Sequence, residues 1–537
     1  MQPISLRSAG GVLRADLSYR SDIDPAGARR YCYVASDGGE APTLRVHPGD
    51  LLILHLTNDV QVSSATNQPG PHAHRAESGG CTSGTMSAFA TNLHFHGLSV
   101  PPVCHQDEVL STLVGPGDRP FEYRFKIPEN EPPGLYWYHP HVHGFSTAQV
   151  LGGASGAIIV EGVEHANPSL AGMPERLLII RDQELVNPNA IAVTTDSMPP
   201  PMVMRDAEGD ILNTGTGGGK PAKDLSINFV PVAFPNYPPA LIKLRPGQRE
   251  LWRILNASAI TYLDLQFLID GQLQAIGVVS LDGVPLHASS SSPAGALWQS
   301  HALIPPAGRV EVIVKAPGVG AKASLVTRTV DTGPAGENDP TRPLATIVAD
   351  PDAPILAASA DGSKVLHGEP TFEWLGEWLG DAKPVRSRTL YFSEKPHDPN
   401  VANSPTEFFI TVDGQEPKLF DPGQTRADVV VHQGDVEDWT IENRTRELHA
   451  FHIHQIHFIL REWNGIPLNE PYLRDTVNVG YWDGQSAQFP SVKLRMDFRD
   501  PNVVGTFVYH CHLLEHEDGG MMGLIRVEPR HADRQHR

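Results

Sequence analysis

The chain has 537 residues, 40% of them apolar and 19% charged, with a formal net charge of −20. That length exceeds what one hydrophobic core fills, so several domains are expected, and the composition excludes a disordered chain. The acidic balance argues against a nucleic-acid partner, and no run of about 18 apolar residues marks a membrane span.

Glycine (49) and proline (48) are abundant. Both punctuate short strands, so an all-β class is predicted. Residues 1–20 hold no apolar run of the roughly 7–15 residues that a secretory signal needs. Pro48-Gly49-Asp50 then leads through alternating apolar residues to Asn58. Residues 60–90, rich in Ser, Gly, Pro and His, read as a long loop, and His72 and His74 within it as solvated. Cys81 and Cys104 flank the segment Asn92-Leu93-His94-Phe95-His96-Gly97. A disulfide between them is expected, with free thiols as the alternative, since pairing needs geometry. Cys32 reads as a small buried residue, and His105 as a solvated loop residue.

A second cluster follows at Trp137-Tyr138-His139-Pro140-His141-Val142-His143-Gly144. Residues 157–162 and 309–315 are β-branched, and so are residues 524–528. Each reads as a strand closing a domain or lying near its end, with charged residues on a wet face. Met198, Met202 and Met204 cluster in a Pro/Gly-rich loop and read as loop packing. Pro246-Gly247-Gln248 leads to Asn256, and Gln433-Gly434-Asp435 leads to Asn443. Gly49, Gly247 and Gly434 each precede their asparagine by nine residues. Self-similarity at a long period means repeated domains. Residues 372–379 read as a short helix between the second and third of them.

A third cluster, His449-Ala450-Phe451-His452-Ile453-His454, precedes the last, Tyr509 to Met522. Each of the four carries an H-x-H step, which puts two imidazoles on one face of a strand. In the last cluster Cys511, His516 and Met521 offer a thiolate, an imidazole and a thioether, the donor set of a mononuclear copper site. His510 and His512 point away from Cys511 and can hold a different metal on the opposite face. A zinc site, or a His-rich surface with a buried thiol, is the plainer alternative. Four H-x-H pairs, however, exceed what one zinc ion needs.

The motifs HFHG, HPHVHG, HAFHIH and HCHLLEHEDGGMM, in that order, resemble those of the multicopper oxidases, the group of laccases and bacterial cuprous oxidases. The resemblance implies three cupredoxin-like Greek-key β-sandwich domains, at 1–163, 164–350 and 351–537, the middle one a spacer without a complete H-x-H motif. It implies four copper ions. His449, Cys511, His516 and Met521 match the ligands of a type 1 copper. His94 and His452 match those of a type 2 copper. His96, His139, His141, His454, His510 and His512 match those of a type 3 pair. His143 and His457 fall beside the motifs without matching ligand positions. Electrons would pass from a reductant to the type 1 copper and on through Cys511, His510 and His512. Asp107 and Glu517 match positions of acids near the cluster and are expected as proton relays.

The partners implied are dioxygen and a small aromatic reductant, a phenol or aromatic amine, as in laccases. Oxidation of cuprous or ferrous ions is the alternative, and a copper scaffold without turnover a weaker one. Nine methionines, with no methionine-rich run in the last third, favour the phenol. Without a signal the chain reads either as cytosolic or as a protein whose signal is already removed, and the resemblance implies export, periplasmic or secreted. A monomer is expected, since one chain brings both halves of the cluster together.

Overall fold

The computed structural model describes residues 2–24, 27–61, 81, 86–191, 204–206, 209–213, 219–286, 295–358, 375–401 and 404–530. His72, His74, Met198 and Met202 lie outside the described residues. The fold is nearly all-β, with 46% strand and 5% helix. Among the described residues no helix is long and apolar enough to cross a membrane.

Six sheets share three apolar cores, two sheets to each. In the first pair, strand Leu51–Asn58 alternates so that Leu52, Leu54 and Leu56 point inward against Leu44, Val46 and Ile158 of the facing sheet. Period-2 patterning of this kind sends one row of side chains to the core. The middle pair closes over Trp252, and the last over Trp439.

The repeat is visible in detail. Leu51–Asn58, Arg249–Asn256 and Val436–Asn443 each run parallel to one neighbour and antiparallel to another. The glycine before each has positive φ: 85° at Gly49, 72° at Gly247 and 94° at Gly434. Glycine meets that turn without a Cβ penalty. Each closing asparagine is buried. Asn58 donates to the carbonyls of Phe89 and Val114, Asn256 to those of Thr261 and Ile304, and Asn443 to those of Glu447 and Val479. Each side-chain oxygen accepts the N–H two residues on, from Val60, Ser258 and Thr445. The middle and last copies also share an Arg–Glu–Trp triad, Arg176–Glu250–Trp252 and Arg388–Glu437–Trp439.

Two expectations are corrected. The strand that closes the middle pair is Arg342–Ala349, which pairs in parallel with Ala240–Leu244 as Gly156–Val160 pairs with Thr43–Val46 and Met522–Glu528 with Val429–His432. Arg309–Lys315 instead lies inside its sheet, between Arg249–Asn256 and Ile276–Leu281. Nor are its charges wet: Arg309 and Glu311 are 2% and 1% exposed. Both are buried because each has an ionic partner, Asp475 for Arg309 and Arg253 for Glu311. The residue Glu161 is likewise buried against Arg45. Exposed charges remain at Lys315, the last residue of its strand, and at Arg526. The expected short helix is found at Leu375–Asp381.

Candidate metal centre

Four short strands carry most of the histidines. His94–His96 pairs with Gly134–His139, so that His94 lies opposite His139. His449–Ile453 pairs with Gly505–Cys511, so that His452 lies opposite His510. An apolar seam of Val109 and Leu110 against Phe420, Val508 and Met522 presses the first pair of sheets on the last. Ligand candidates from both ends of the chain thereby meet.

Eight histidines converge: His94, His96, His139 and His141 from the first pair, and His452, His454, His510 and His512 from the last. His94 stacks on His454 at 3.7 Å between ring centroids, and His96 on His452 at 3.9 Å. His141, His454 and His510 bring one nitrogen each within 4.8 Å of one another, as do His94, His96 and His139. His512 lies 5.1 Å from His96 and 5.4 Å from His139.

Second partners fix the rings. His94 Nδ1 lies 3.0 Å from Asp107, which also accepts the N–H of Phe95 and the amide of Gln455. His139 Nδ1 faces the carbonyl of Pro140, and His510 Nδ1 that of Cys511. His452 Nδ1 reaches the carbonyl of Asp475 at 2.8 Å, and His96 Nε2 its carboxylate at 3.3 Å. Among the described residues, the opposite nitrogens, His94 Nε2, His96 Nδ1, His139 Nε2 and His452 Nε2, have no hydrogen-bond partner, and neither do His141 Nε2, His454 Nδ1 or either nitrogen of His512. Buried polar atoms are normally satisfied. So many buried imidazole nitrogens without a partner, gathered in overlapping groups of three, fit a cluster of cations, and a second hydrogen bond on the far nitrogen is what a metal-bound histidine makes. Burial holds all eight rings below the usual histidine range, His139 at about 3 and His510 at about 4. They are therefore neutral, the form that binds metal.

A smaller site lies across the strand. His449 Nδ1 and His516 Nδ1 are 3.0 Å apart, and Cys511 Sγ lies 3.5 and 3.7 Å from them. Met521 is buried beside them: its carbonyl accepts from Cys511 N and its N–H donates to His516 O. Burial pushes the Cys511 thiol up to about 12, so a thiolate there needs a cation to hold it. The thiolate, two imidazoles and a thioether suit copper better than zinc. His510 and His512 face the larger group while Cys511 faces the smaller, as strand alternation predicts.

Asp107 and Glu517 are both buried at the larger group. Glu517 Oε2 lies 3.2 Å from His510 Nδ1, and its Oε1 lies 3.7 Å from His141 Nε2. Burial raises both carboxyls, and Asp518 raises Glu517 further. His143 packs on Phe420, and His457 lies 3.7 Å from Asp475, so neither joins the converging rings. Cys81 and Cys104 form a disulfide, and Cys32 is a buried free thiol. Asp475, Arg309, Gln455, Glu447 and Asp518 were not singled out from the sequence. Asp518 sits in a motif, and Glu447 and Gln455 flank one, whereas Arg309 and Asp475 reach the site only through the packing of distant strands.

Two family models described as multicopper oxidase match residues 82–165 and 393–531. The multicopper oxidase mco of Staphylococcus aureus is 25% identical over 443 residues, 81% of this chain and 76% of its own. The structure of a Campylobacter jejuni multicopper oxidase, described as a metallo-oxidase, aligns with a TM-score of 0.65 at 22% identity, over 98% of this chain and 95% of that one. A laccase-like multicopper oxidase from Ochrobactrum, described as active on lignin model compounds, aligns at 0.62 and 19% identity, over 98% and 99%.

Proposed function

The chain belongs to the multicopper oxidase family, oxidoreductases that use dioxygen as acceptor, and we propose that it is laccase-like, coupling four one-electron oxidations of a phenol or aromatic amine to reduction of dioxygen to water. The observation that carries the oxidase reading is the ring of partnerless imidazole nitrogens supplied by both ends of the chain.

Four copper ions go with this reading. His449, Cys511, His516 and Met521 would hold the type 1 ion, His94 and His452 the type 2 ion, and His96, His139, His141, His454, His510 and His512 the type 3 pair. Copper would supply the one-electron chemistry, while the four electrons per dioxygen come from the reductant and the four protons from solvent. The chain supplies the rest. Cys511 and its neighbours His510 and His512 form the shortest covalent link between the two sites. Asp107 and Glu517 are raised carboxyls at the cluster and serve as proton relays. The cluster needs residues from both ends, which fits three units at 1–163, 164–350 and 351–537. The same reading carries a monomer and an exported protein.

For an aromatic reductant the support is Phe408, which stacks on His516 at 4.2 Å. Leu419, 41% exposed, lies beside it against Gly520. An apolar surface thus leads to a ligand ring that is itself buried. One observation favours a cuprous or ferrous substrate instead: Glu447 lies 3.5 Å from His516 Nε2. Oxygen uptake decides. The copper-loaded protein should consume oxygen rapidly with a methoxyphenol and no added copper. Rapid uptake with Cu(I) and none with the phenol would make it a metal oxidase. A strong blue absorption on copper loading should vanish in Cys511→Ser, and its absence from the wild type would sink the copper reading.

A further inference from the structure

We propose that Arg309 is a positioning residue of the histidine cluster: through Asp475 it fixes His96 and His452, and so sets how the two ends of the chain approach each other at the metal. The inference rests on the copper reading above. It gives the middle pair of sheets, whose described residues contribute no histidine to the cluster, a direct hand in it.

A guanidinium has five N–H donors in a rigid fork. Arg309 uses all of them while fully buried. Nε donates to the carbonyl of Leu135 at 3.2 Å, in the first pair of sheets. Its NH1 group donates to the Ala307 carbonyl and to Asp475 Oδ1, and its NH2 group to the Asp282 carbonyl and to Asp475 Oδ2 at 2.5 Å. One side chain of the middle pair therefore grips the first pair by a carbonyl and the last by a bidentate carboxylate.

Asp475 passes the grip on. Its carboxylate faces His96 Nε2 at 3.3 Å and its carbonyl His452 Nδ1 at 2.8 Å. Those two rings come from opposite ends of the chain and stack at 3.9 Å. Their free nitrogens, His96 Nδ1 and His452 Nε2, are the ones a metal would take. A second observation shows that the first pair is shaped for this clamp. Gly97 follows His96 directly, with φ 87°. A Cβ there would lie 2.5 Å from the Arg309 NH2 nitrogen and 2.7 Å from Asp475 Oδ2. Glycine at 97 keeps the slot that the ion pair fills.

A buried ion pair can also be merely structural, and removing one partner is costly for that reason alone. The test separates the two with the full chain, using Arg309→Lys and the charge-neutral double variant Arg309→Met/Asp475→Asn. Three quantities are read: the melting temperature of the metal-free protein, the blue absorption from the Cys511 site, and the copper retained against a graded chelator. Loss of partners that orient metal ligands weakens affinity about 10- to 100-fold. Both variants should keep the blue absorption and lose the remaining copper at a roughly 10-fold lower chelator concentration. In the double variant this should occur without an equal fall in metal-free melting temperature. Wild-type retention in either variant overturns the proposal. So does copper loss that only tracks the fall in melting temperature across the two. If the double variant does not fold, Arg309→Lys decides by the same comparison. A wild type that binds copper at the Cys511 site alone would sink the copper-cluster reading instead, a separate result.

Discussion

Asp518, two residues beyond His516, accepts the backbone N–H groups of Gly144, Ser146 and Thr147 and the hydroxyl of Thr147, at 2.7–3.2 Å. It thus caps the helix Ser146–Leu151 from the far end of the chain, directly after the His139–His143 motif. Replacing a capping carboxylate typically costs about 0.5–2 kcal/mol. Asp518→Ala should speed amide exchange across residues 146–151 while leaving the core strand Leu51–Asn58 protected. Unchanged exchange in that helix would contradict the capping role.

Asp107→Asn and Glu517→Gln should each lower oxygen uptake by at least about 10-fold at the optimum, as loss of a general acid does. Copper content and blue absorption should stay at wild-type levels. The pH profile should also change shape, because each variant removes a raised carboxyl from the cluster. Wild-type turnover across pH, at full copper content, would remove both from the mechanism.

A different carboxyl makes folding itself pH-dependent. Glu131 is 1% exposed and accepts the N–H of Ser99, and burial pushes it up to about 8 from the usual 4.5. The folded state therefore holds a proton that the unfolded state has released. Stability from this group is present below about pH 4.5 and is lost as pH rises toward about 8, with a slope of up to ~1.4 kcal/mol per pH unit. Glu131→Gln should flatten the decline in that window. Denaturant midpoints of the metal-free wild type and variant, compared from pH 5 to about 8, measure it. Parallel curves would show that Glu131 does not titrate there.

The three repeated asparagines predict three similar penalties. Asn58→Ala, Asn256→Ala and Asn443→Ala each leave two buried carbonyls and one N–H without their partner. Each unsatisfied group costs about 1–3 kcal/mol. All three variants should be clearly destabilised in denaturant titrations, whereas the exposed Asn400→Ala should not. A neutral Asn256→Ala would separate the middle copy from the other two.

The legible parts of this molecule were those written locally. Strand alternation around Cys511 announced two sites on two faces, because side chains in a strand alternate whatever the fold. The spacing from glycine to asparagine announced the repeat, because each unit satisfies its own turn. The clamp could not be read this way. Arg309 and Asp475 are 166 residues apart, and neither stands in a motif. The alternation of Arg309, Glu311 and Lys315 with valines suggested one wet face, and the reading failed for the first two because ionic partners from other strands bury them. Periodicity reports which face a side chain occupies. It does not report what covers that face.

On the proposed copper reading, the meeting of His94 to His141 with His452 to His512 would make copper affinity a gauge of how well the chain's two ends are docked. A ligand that binds only the docked arrangement stabilises it in proportion to the logarithm of its concentration. Whatever loosens the seam of Val109 and Leu110 against Phe420 and Met522 would then weaken copper binding. Conversely, scarce copper should leave that seam as the first part of the molecule to open.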